Sequence, residues 1–296
     1  MPEFPFMQVD AFTDVPLGGN PCAIVFDADP LDSRTMQAIA REMNLSETAF
    51  VLRSAVADVG ARYFTPAHEI PLAGHPTIAT IFALAETGRI ALRGDTTTIT
   101  LELPAGVIPI DIHAEAGRVR RVVMTQLPPQ FLRTYEPAAV LPAFGLAPDD
   151  ALASVPIQTV STGTPQLFVP LRDHDALRRI ALDLGALARL KAAGDFFSIH
   201  LFCLGGATPA GDTFARHFAP PPDLGEDPFT GSATGGMAAY AWRYGLLEAP
   251  TFVAEQGNWM GRPGQAQVEV VGARDAVSLV RVGGGAVTVL RGTLAL

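Results

Sequence analysis

The sequence carries one pattern twice, and this repeat constrains the fold more than any other feature. Residues 61–66 and 215–220 both read A-R-x-F-x-P, and residues 69–77 and 226–234 both read E-x-P-x-x-G-x-x-T. Each second motif is followed by an apolar segment that ends at a glycine the same distance along the chain. Matches that keep one order along the chain indicate two copies of one supersecondary design.

The elements predicted from periodicity follow the same order in both halves. An earlier match of the form G-x-P, at 19–21 and 163–165, precedes a predicted strand in each half. Apolar helices are predicted over 76–86 and 233–244, each directly after a glycine-containing turn. The second half has a further predicted helix over 173–189 that is broken at Gly185.

These elements predict an α+β protein built from two similar halves. Each half is expected to form a strongly bent sheet around one apolar helix. The predicted halves are residues 1–126 and 127–296, with the terminal strand able to pack back on the first half. The active site is expected in the cleft between the halves, and Pro128 and Pro129 mark the linker.

Charge and composition exclude several classes of partner. The 296-residue chain has a net charge of −9 and no long basic run, which argues against nucleic acid and anionic membranes. The longest charge-free stretch, 151–171, contains three prolines, so no membrane-spanning helix is predicted. No signal peptide is visible and two cysteines, Cys22 and Cys203, make no disulfide framework, so a cytoplasmic protein is expected.

Two helix starts that follow a glycine are the candidate ligand-binding features. Gly74 and Gly231 precede the predicted apolar helices, whose first turns carry unpaired N–H donors and a partial positive charge. Two such starts facing one cleft would suit a small carboxylate and an enolate-like charge developing beside it. The residues alone leave open the alternative that both glycines only make tight turns.

The polar residues near these starts favour acid–base chemistry. His75 and Ser232 directly follow the two glycines, and Asp227 precedes the second start. Glu47 stands at the entry of a predicted strand. Carboxylates beside a histidine in an enclosed cleft can exchange protons near neutral pH, because burial raises the pKa of a carboxyl group. Taken singly, Glu47 is more typical of a solvent-facing strand residue, and His75 of a helix cap.

Other catalytic motifs are absent from the sequence. The six histidines and two cysteines show no metal-ligand spacing, so no metal site is predicted. There is no G-x-x-x-x-G-K-[ST] phosphate loop, no G-x-S-x-G nucleophile elbow and no dinucleotide fingerprint after an early strand. The sequence therefore predicts chemistry without a cofactor.

The residues singled out above also carry a family resemblance. The segments VDAFTDVPLGGNPCAIVF, REMNLSETAFVL, RYFTPAHEIPLAGHPT, EDPFTGSATG and RGTLAL resemble the PhzF family of phenazine-biosynthesis isomerases. The resemblance runs over about residues 7–296. It implies the diaminopimelate-epimerase-like α+β fold, in which each half is a mostly antiparallel, barrel-like sheet rolled around a central helix.

The resemblance further implies an isomerase without a cofactor, working as a homodimer on a small carboxylate. The best-known activity of the family moves a proton in trans-2,3-dihydro-3-hydroxyanthranilate. Glu47, in the NLSE motif, would be the proton shuttle, and His75 and Asp227 would support proton transfer or hold polar groups of the substrate. Substrate binding is implied for Gly74, Gly231, Ser232 and Asn20.

Two other functions stay open from the sequence. An amino-acid racemase or epimerase of the same fold would use two cysteines, one at each helix start, and this chain has none there. The second alternative is a non-catalytic protein that binds a small molecule, which would keep the fold without the activity. The chain departs from the family at Phe229, where alanine is common, and a bulky ring beside Asp227 would reshape the pocket.

Overall fold

A computed structural model describes residues 2–220 and 225–296 of the chain. The chain forms two compact units. Unit 1 contains Met1–Thr125, Gly261–Ala266 and Val282–Leu296, and unit 2 contains Gln126–Met260 and Gln267–Arg281. The division predicted from the sequence placed everything after residue 126, apart from a terminal strand, in the second half. The short segment Gly261–Ala266 therefore belongs to unit 1, although the sequence pattern places it in the second half.

Most of unit 1 is formed by the first 125 residues. Its elements are β1 (Glu3–Ala11), β2 (Asn20–Val25), α1 (Ser33–Met43), β3 (Glu47–Leu52), β4 (Val59–Phe64), β5 (Glu69–Ile70), α2 (Gly74–Glu86), β6 (Thr96–Leu103), β7 (Gly106–Glu115) and β8 (Arg118–Gln126). Strand β1 pairs with β2, and β2 runs parallel to β3. Strand β4 then pairs with β3 and β5 in antiparallel fashion and with β6 in parallel.

Unit 2 begins with a short strand and several small helical segments. Its elements are β9 (Gln130–Tyr135), α3 (Pro137–Val140), β10 (Ile157–Ser161), β11 (Pro165–Pro170), α4 (His174–Arg178), α5 (Leu184–Ala193), β12 (Ser198–Leu204), β13 (Thr213–Ala219), β14 (Gly225–Asp227), α6 (Gly231–Arg243) and β15 (Thr251–Gln256). The last strands are β16 (Gly264–Ala273), β17 (Ala276–Gly284) and β18 (Ala286–Ala295), of which β18 belongs to unit 1.

The two units share one strand topology. Strand β11 runs parallel to β12, and β13 pairs antiparallel with β12 and β14 and parallel with β15. These pairings repeat those of β2 to β6 in the same order. The registers of these strand pairs also agree, so facing residues in unit 1 correspond to facing residues in unit 2. The facing pair Cys22 and Glu47 corresponds to Gln166 and Ser198, and the facing pair Tyr63 and Ile70 corresponds to His217 and Asp227. The repeat found in the sequence is therefore a repeat of structure.

The central helices α2 and α6 have 13 residues each, and 11 and 10 of these, respectively, are buried. Helix α2 packs on β1, β2, β3 and β18, whereas α6 packs on β10 and β11. A helix that is buried on almost all sides needs small and apolar residues all round rather than one apolar face. Helix α1 shows the contrast, since it buries only Met36, Ile39 and Ala40. The predicted α+β class is confirmed, with one buried helix in each unit.

The predicted helix over 173–189 is two helices, and its break is not at Gly185. Asp173 accepts a hydrogen bond from Ala176 N at the start of α4, and Asp183 accepts one from Ala186 N at the start of α5. Each aspartate satisfies a backbone donor in a first turn and so begins its own helix. Gly185 lies inside the first turn of α5.

None of the helices in the described residues combines the length and the apolar character that a membrane span requires.

Candidate active site

In unit 1, three of the predicted site residues lie in one buried cluster. Asn20 is the first residue of β2, Glu47 is the first residue of β3, and His75 is the second residue of α2. The side-chain nitrogen of Asn20 lies 3.0 Å from His75 Nδ1, and His75 Nε2 lies 3.3 Å from Glu47 Oε2. Two adjacent parallel strands and the start of the central helix thus bring these groups together.

The contacts of His75 define its protonation state. Burial lowers the pKa of His75 to about 3, so the ring is neutral at physiological pH. The Asn20 amide nitrogen has only hydrogens to offer, so it donates to Nδ1 and the single ring proton sits on Nε2. That proton is on the side of the Glu47 carboxylate. The 3.3 Å contact is not aligned as a hydrogen bond here, and such contacts often tighten only when substrate binds.

The start of α2 offers backbone donors beside this cluster. The helix is preceded by Ala73, which provides no side-chain cap, and Gly74 is its first residue. Thr77 Oγ1 donates to Ala73 O at 2.7 Å, and Tyr63 Oη lies 3.0 Å from the same hydroxyl. These bonds fix the first turn from inside the unit. The uncapped turn has the properties of an anion site, because its N–H groups and the helix dipole both favour negative charge.

In unit 2, Asp227 lies at the end of β14, directly before α6. The hydroxyl of Thr230 donates to Asp227 Oδ2. Gln256 donates from Nε2 to the backbone oxygen of Asp227 at 2.6 Å and accepts from Thr230 N at 3.1 Å through Oε1. Thr230 therefore holds the carboxylate at the helix start, and Gln256, the last residue of β15, holds the backbone of the same turn.

Gly231 and Ser232 form the first turn of α6, and two further glutamines hold them. Gln126 Nε2 donates to Gly231 O at 2.9 Å, and Gln166 Nε2 donates to Ser232 Oγ at 3.1 Å. Thr230 provides no side-chain cap, as Ala73 provides none for α2. Within the described residues, the first turns of both central helices thus lack a side-chain cap from the residue before them.

The sequence reasoning missed the three glutamines around α6, which are Gln126, Gln166 and Gln256. All three are at most 4% exposed. Each is the single amide of its strand, and a buried amide must be hydrogen-bonded. Their partners are backbone and hydroxyl groups far along the chain, which no local pattern identifies.

Three other residues singled out from the sequence lie in the core. The Phe229 side chain is fully buried. Cys22 and Cys203 lie inside β2 and β12, and burial raises the pKa of both thiols, that of Cys203 to about 12. Neither thiol is at a helix start, where a racemase would need it.

Among the described residues, no group of three or more His, Cys, Asp or Glu side chains could hold a metal ion.

Comparison with known proteins agrees with this architecture. Residues 9–292 match the PhzC-PhzF family, described as phenazine biosynthesis-like proteins. The trans-2,3-dihydro-3-hydroxyanthranilate isomerase of Pseudomonas fluorescens is 35% identical, with 98% of this chain and 99% of the relative covered. The protein named uncharacterized isomerase YfhB of Bacillus subtilis is 34% identical, with 91% of this chain and 92% of the relative covered.

Solved structures show the same relationship at the level of the fold. A PhzF-family phenazine biosynthesis protein of Bacillus anthracis superposes with a TM-score of 0.88 at 33% identity, and both chains are covered completely. A hydroxyproline epimerase of Agrobacterium vitis has a TM-score of 0.66 at 15% identity over 99% of this chain and 93% of its own, which shows a shared fold only. The fold is thus the diaminopimelate-epimerase-like fold, and the chain belongs to the PhzF family of isomerases.

Proposed function

We propose that this protein is a cofactor-independent isomerase that moves a proton between two carbon atoms of a small cyclic carboxylate resembling trans-2,3-dihydro-3-hydroxyanthranilate. The observation that carries the proposal is the Glu47 carboxylate, 3.3 Å from a neutral, buried His75 at an uncapped helix start. The relatives named for this activity support the choice of substrate class.

In this proposal Glu47 acts first as a base and then as an acid. Its carboxylate removes a proton from one carbon of the substrate, and the electron pair of the broken C–H bond moves into the conjugated system. Glu47, now protonated, then delivers a proton to a different carbon, so atoms and charge balance without a co-reactant. Exchange of the carboxyl proton with solvent before this delivery places deuterium in the product when the reaction runs in D₂O. The His75 Nε2–H donates to the carboxylate before the transfer, and the backbone N–H groups of Gly74 and His75 stabilise the negative charge that develops.

The polar residues of unit 2 have a binding role in the same proposal. Ser232 and the uncapped first turn that begins at Gly231 would bind the substrate carboxylate, and Asp227 would hold a cationic or hydroxyl group. Asn20 would act indirectly, because its side chain contacts His75.

The homodimer implied by the family resemblance also stays a prediction, which light scattering of the purified chain would test.

The duplicated fold favours a proton shift over racemisation. A racemase needs a base on each face of the substrate carbon. The strand registers place Ser198 at the position in unit 2 that corresponds to Glu47 in unit 1. A serine hydroxyl does not act as a general base near neutral pH without activation, and Ser198 has no basic side chain bonded to it in the described residues. At the position equivalent to Glu47 the repeat therefore supplies a serine and not a second carboxylate.

Deuterium incorporation tests the proposal. Wild type, Glu47→Gln and Ser198→Ala are incubated with trans-2,3-dihydro-3-hydroxyanthranilate in D₂O, and product deuterium and turnover are measured by mass spectrometry. We expect Glu47→Gln to lose about 10²- to 10⁴-fold in rate, while the matched variant Ser198→Ala stays close to wild type. Equal rates for wild type and Glu47→Gln would contradict the role of Glu47. Tight binding without turnover or exchange in the wild type would favour a non-catalytic binding protein.

A further inference from the structure

The turn that leads into Asn20 has an unusual backbone. Phe12 and Leu17 have φ angles of 62° and 68°, in the left-handed region that side chains of this size rarely adopt. Gly19 has a φ of 50°, and a Cβ atom there would lie 2.0 Å from Ala11 O. Three such residues within eight positions persist only where surrounding groups hold them, and backbone strain of this kind is frequent beside functional sites.

The group that holds this turn comes from a distant part of the sequence. Arg262 donates from Nε to Gly19 O at 3.0 Å and from one terminal nitrogen to Gly18 O at 2.8 Å. The same nitrogen lies 2.8 Å from Asp10 Oδ1. The other oxygen of Asp10 accepts from Leu17 N at 2.7 Å. Arg262 and Asp10 thus hold the second end of the strained turn, residues 17–19, in one network.

The network is largely shielded from water. The Asp10 side chain is fully buried and the Arg262 side chain is 26% exposed. The backbone adds two bonds, since Gly19 N donates to Pro263 O at 2.9 Å and Gln265 N donates to Phe12 O at 2.8 Å. The segment Gly261–Ala266, which joins unit 1 from late in the chain, therefore has a defined contact there: it holds the turn before β2.

This network acts on the candidate site through one residue. Arg262 holds the carbonyl of Gly19, and the next residue is Asn20, whose side chain donates to His75 Nδ1. If Asn20 moved away, Nδ1 could carry the ring proton instead. His75 Nε2 would then present a lone pair to the Glu47 carboxylate at 3.3 Å, which is a repulsive contact.

We propose that Arg262 and Asp10 are positioning residues that fix the tautomer of His75 by holding the turn that carries Asn20. The structural part of this proposal stands on the contacts above, and its kinetic part rests on the proposed function of Glu47. Neither residue contacts the reacting atoms in this scheme. Arg262 is suited to the task because its planar guanidinium group reaches two carbonyls and a carboxylate together, which the point charge of a lysine does not.

Nitrogen-15 NMR of the histidine side chains gives the test that does not depend on activity. Long-range ¹H–¹⁵N correlations distinguish the two neutral tautomers, and the His75→Gln variant identifies the His75 signals. We expect wild type to show the Nε2–H form, and Arg262→Gln to show a mixture of both forms. Unchanged His75 signals in Arg262→Gln, or an Nδ1–H form in the wild type, would overturn the proposal.

A matched control and a second variant keep the result interpretable. Arg89→Gln removes a two-bond ion pair with Asp27 in the same unit, at 2.7 and 2.8 Å, without touching the turn. It should leave the His75 tautomer as in wild type. Asp10→Asn keeps the shape of the side chain and removes its charge, so it should repeat the effect of Arg262→Gln even if the latter folds poorly. The His200 and His217 signals of unit 2 should not change, which reports an intact fold.

Kinetics then separate positioning from substrate binding. Arg262→Gln should lower kcat for proton exchange by about 10²-fold, the cost typical of a misplaced catalytic group, with KM nearly unchanged. Arg262→Lys should recover part of the loss. A rise in KM at constant kcat would instead indicate a direct role in binding and would overturn the positioning role. If wild type shows no turnover, the proposed function fails while the NMR result still decides the tautomer.

Discussion

The two units share a framework and differ in the residues that carry chemistry. In both, the arginine of the A-R-x-F motif forms a two-bond ion pair with the glutamate that follows, and its guanidinium group lies 5.1 Å from the centre of the phenylalanine ring of the motif. The corresponding groups are Arg62 with Glu69 and Phe64, and Arg216 with Glu226 and Phe218. The repeat in the sequence thus marks mainly the parts that build the scaffold.

At the helix starts the copies have diverged. Glu47 corresponds to Ser198, and His75 to Ser232, by strand register and by the glycine motifs. Asp227 corresponds to an apolar residue of unit 1, Ile70. Each polar group of the candidate site therefore exists once. Of the two similar helix starts, one therefore has a carboxylate base beside it, and the other has hydroxyl, amide and carboxylate groups.

The largest expected effect concerns acid stability, because unit 2 has two buried histidines where unit 1 has Ala49 and Tyr63. His200 and His217 face each other with 3.2 Å between their Nδ1 atoms, and burial lowers the pKa of His217 to about 3 and that of His200 well below its usual value. Together with His75, three histidines stay neutral in the folded state and take up protons below about pH 6.5 only on unfolding. The contribution of these histidines to the free energy of unfolding is therefore fully present above pH 6.5, and it is lost as the pH falls.

Three such groups lower the free energy of unfolding by up to about 4 kcal/mol per pH unit below pH 6.5. Urea unfolding at pH 7, 6 and 5 measures this slope. Two of the three histidines are in unit 2, so its amides should lose hydrogen-exchange protection first, after correction for intrinsic rates. Earlier loss in unit 1 would contradict the comparison. The carboxylates whose pKa is lowered, such as Asp150 and Asp195, contribute only at lower pH.

A smaller effect is expected from Gly235, whose counterpart in α2 is Ile78. A Cβ atom at Gly235 would lie 2.0 Å from Gln126 Oε1 and 2.3 Å from its Cδ. Gly235→Ala would therefore displace Gln126 from both Gly231 O and the hydroxyl of Thr162. We expect a loss of about 1–3 kcal/mol in unfolding free energy, measured by urea titration. Ile78→Ala is the comparison in α2, where a cavity replaces a clash; a neutral Gly235→Ala would show that the glutamine is not constrained.

The smallest expected effect tests the shared framework directly. Arg62→Ala and Arg216→Ala each remove a partly exposed ion pair of the same geometry. We expect losses of about 1 kcal/mol in each case, slightly larger for Arg216 because its pair is less exposed. Both losses should shrink in 1 M salt, since screening weakens partly exposed pairs. A loss several times larger in one unit would show that the two frameworks are not energetically equivalent.

Most of the scaffold was predictable from the sequence because its signals are local or repeated. The paired motifs predict helices over 76–86 and 233–244, and in the structure both helices begin two residues earlier, at Gly74 and Gly231. The grouping of Asn20, Glu47 and His75 followed from motifs that are far apart in the chain but repeated across a known family. The repeat within the chain and the family resemblance thus both indicated which distant segments lie close together in the fold.

The remaining features depend on contacts that leave no local pattern. The break between α4 and α5 lies before Asp183 and not at Gly185, because the aspartate caps Asp173 and Asp183 each begin a helix. The glutamines around α6 bond to groups 26 to 105 residues away. Arg262 contacts Asp10 across 252 residues. A single sequence without an alignment offers no signal for such pairs.

The pairing of the first strand with the last has a consequence for how the protein is made. Strand β18 pairs with β1 from Glu3–Ala295 to Ala11–Ala286. During synthesis β1 leaves the ribosome long before its partner exists, so one edge of its sheet stays open while unit 2 is being translated. Open edges attract other strands. A nascent chain that pauses after unit 2 should therefore carry a completed second unit and a first unit with an open edge at β1, which chaperones would bind until strand β18 is translated.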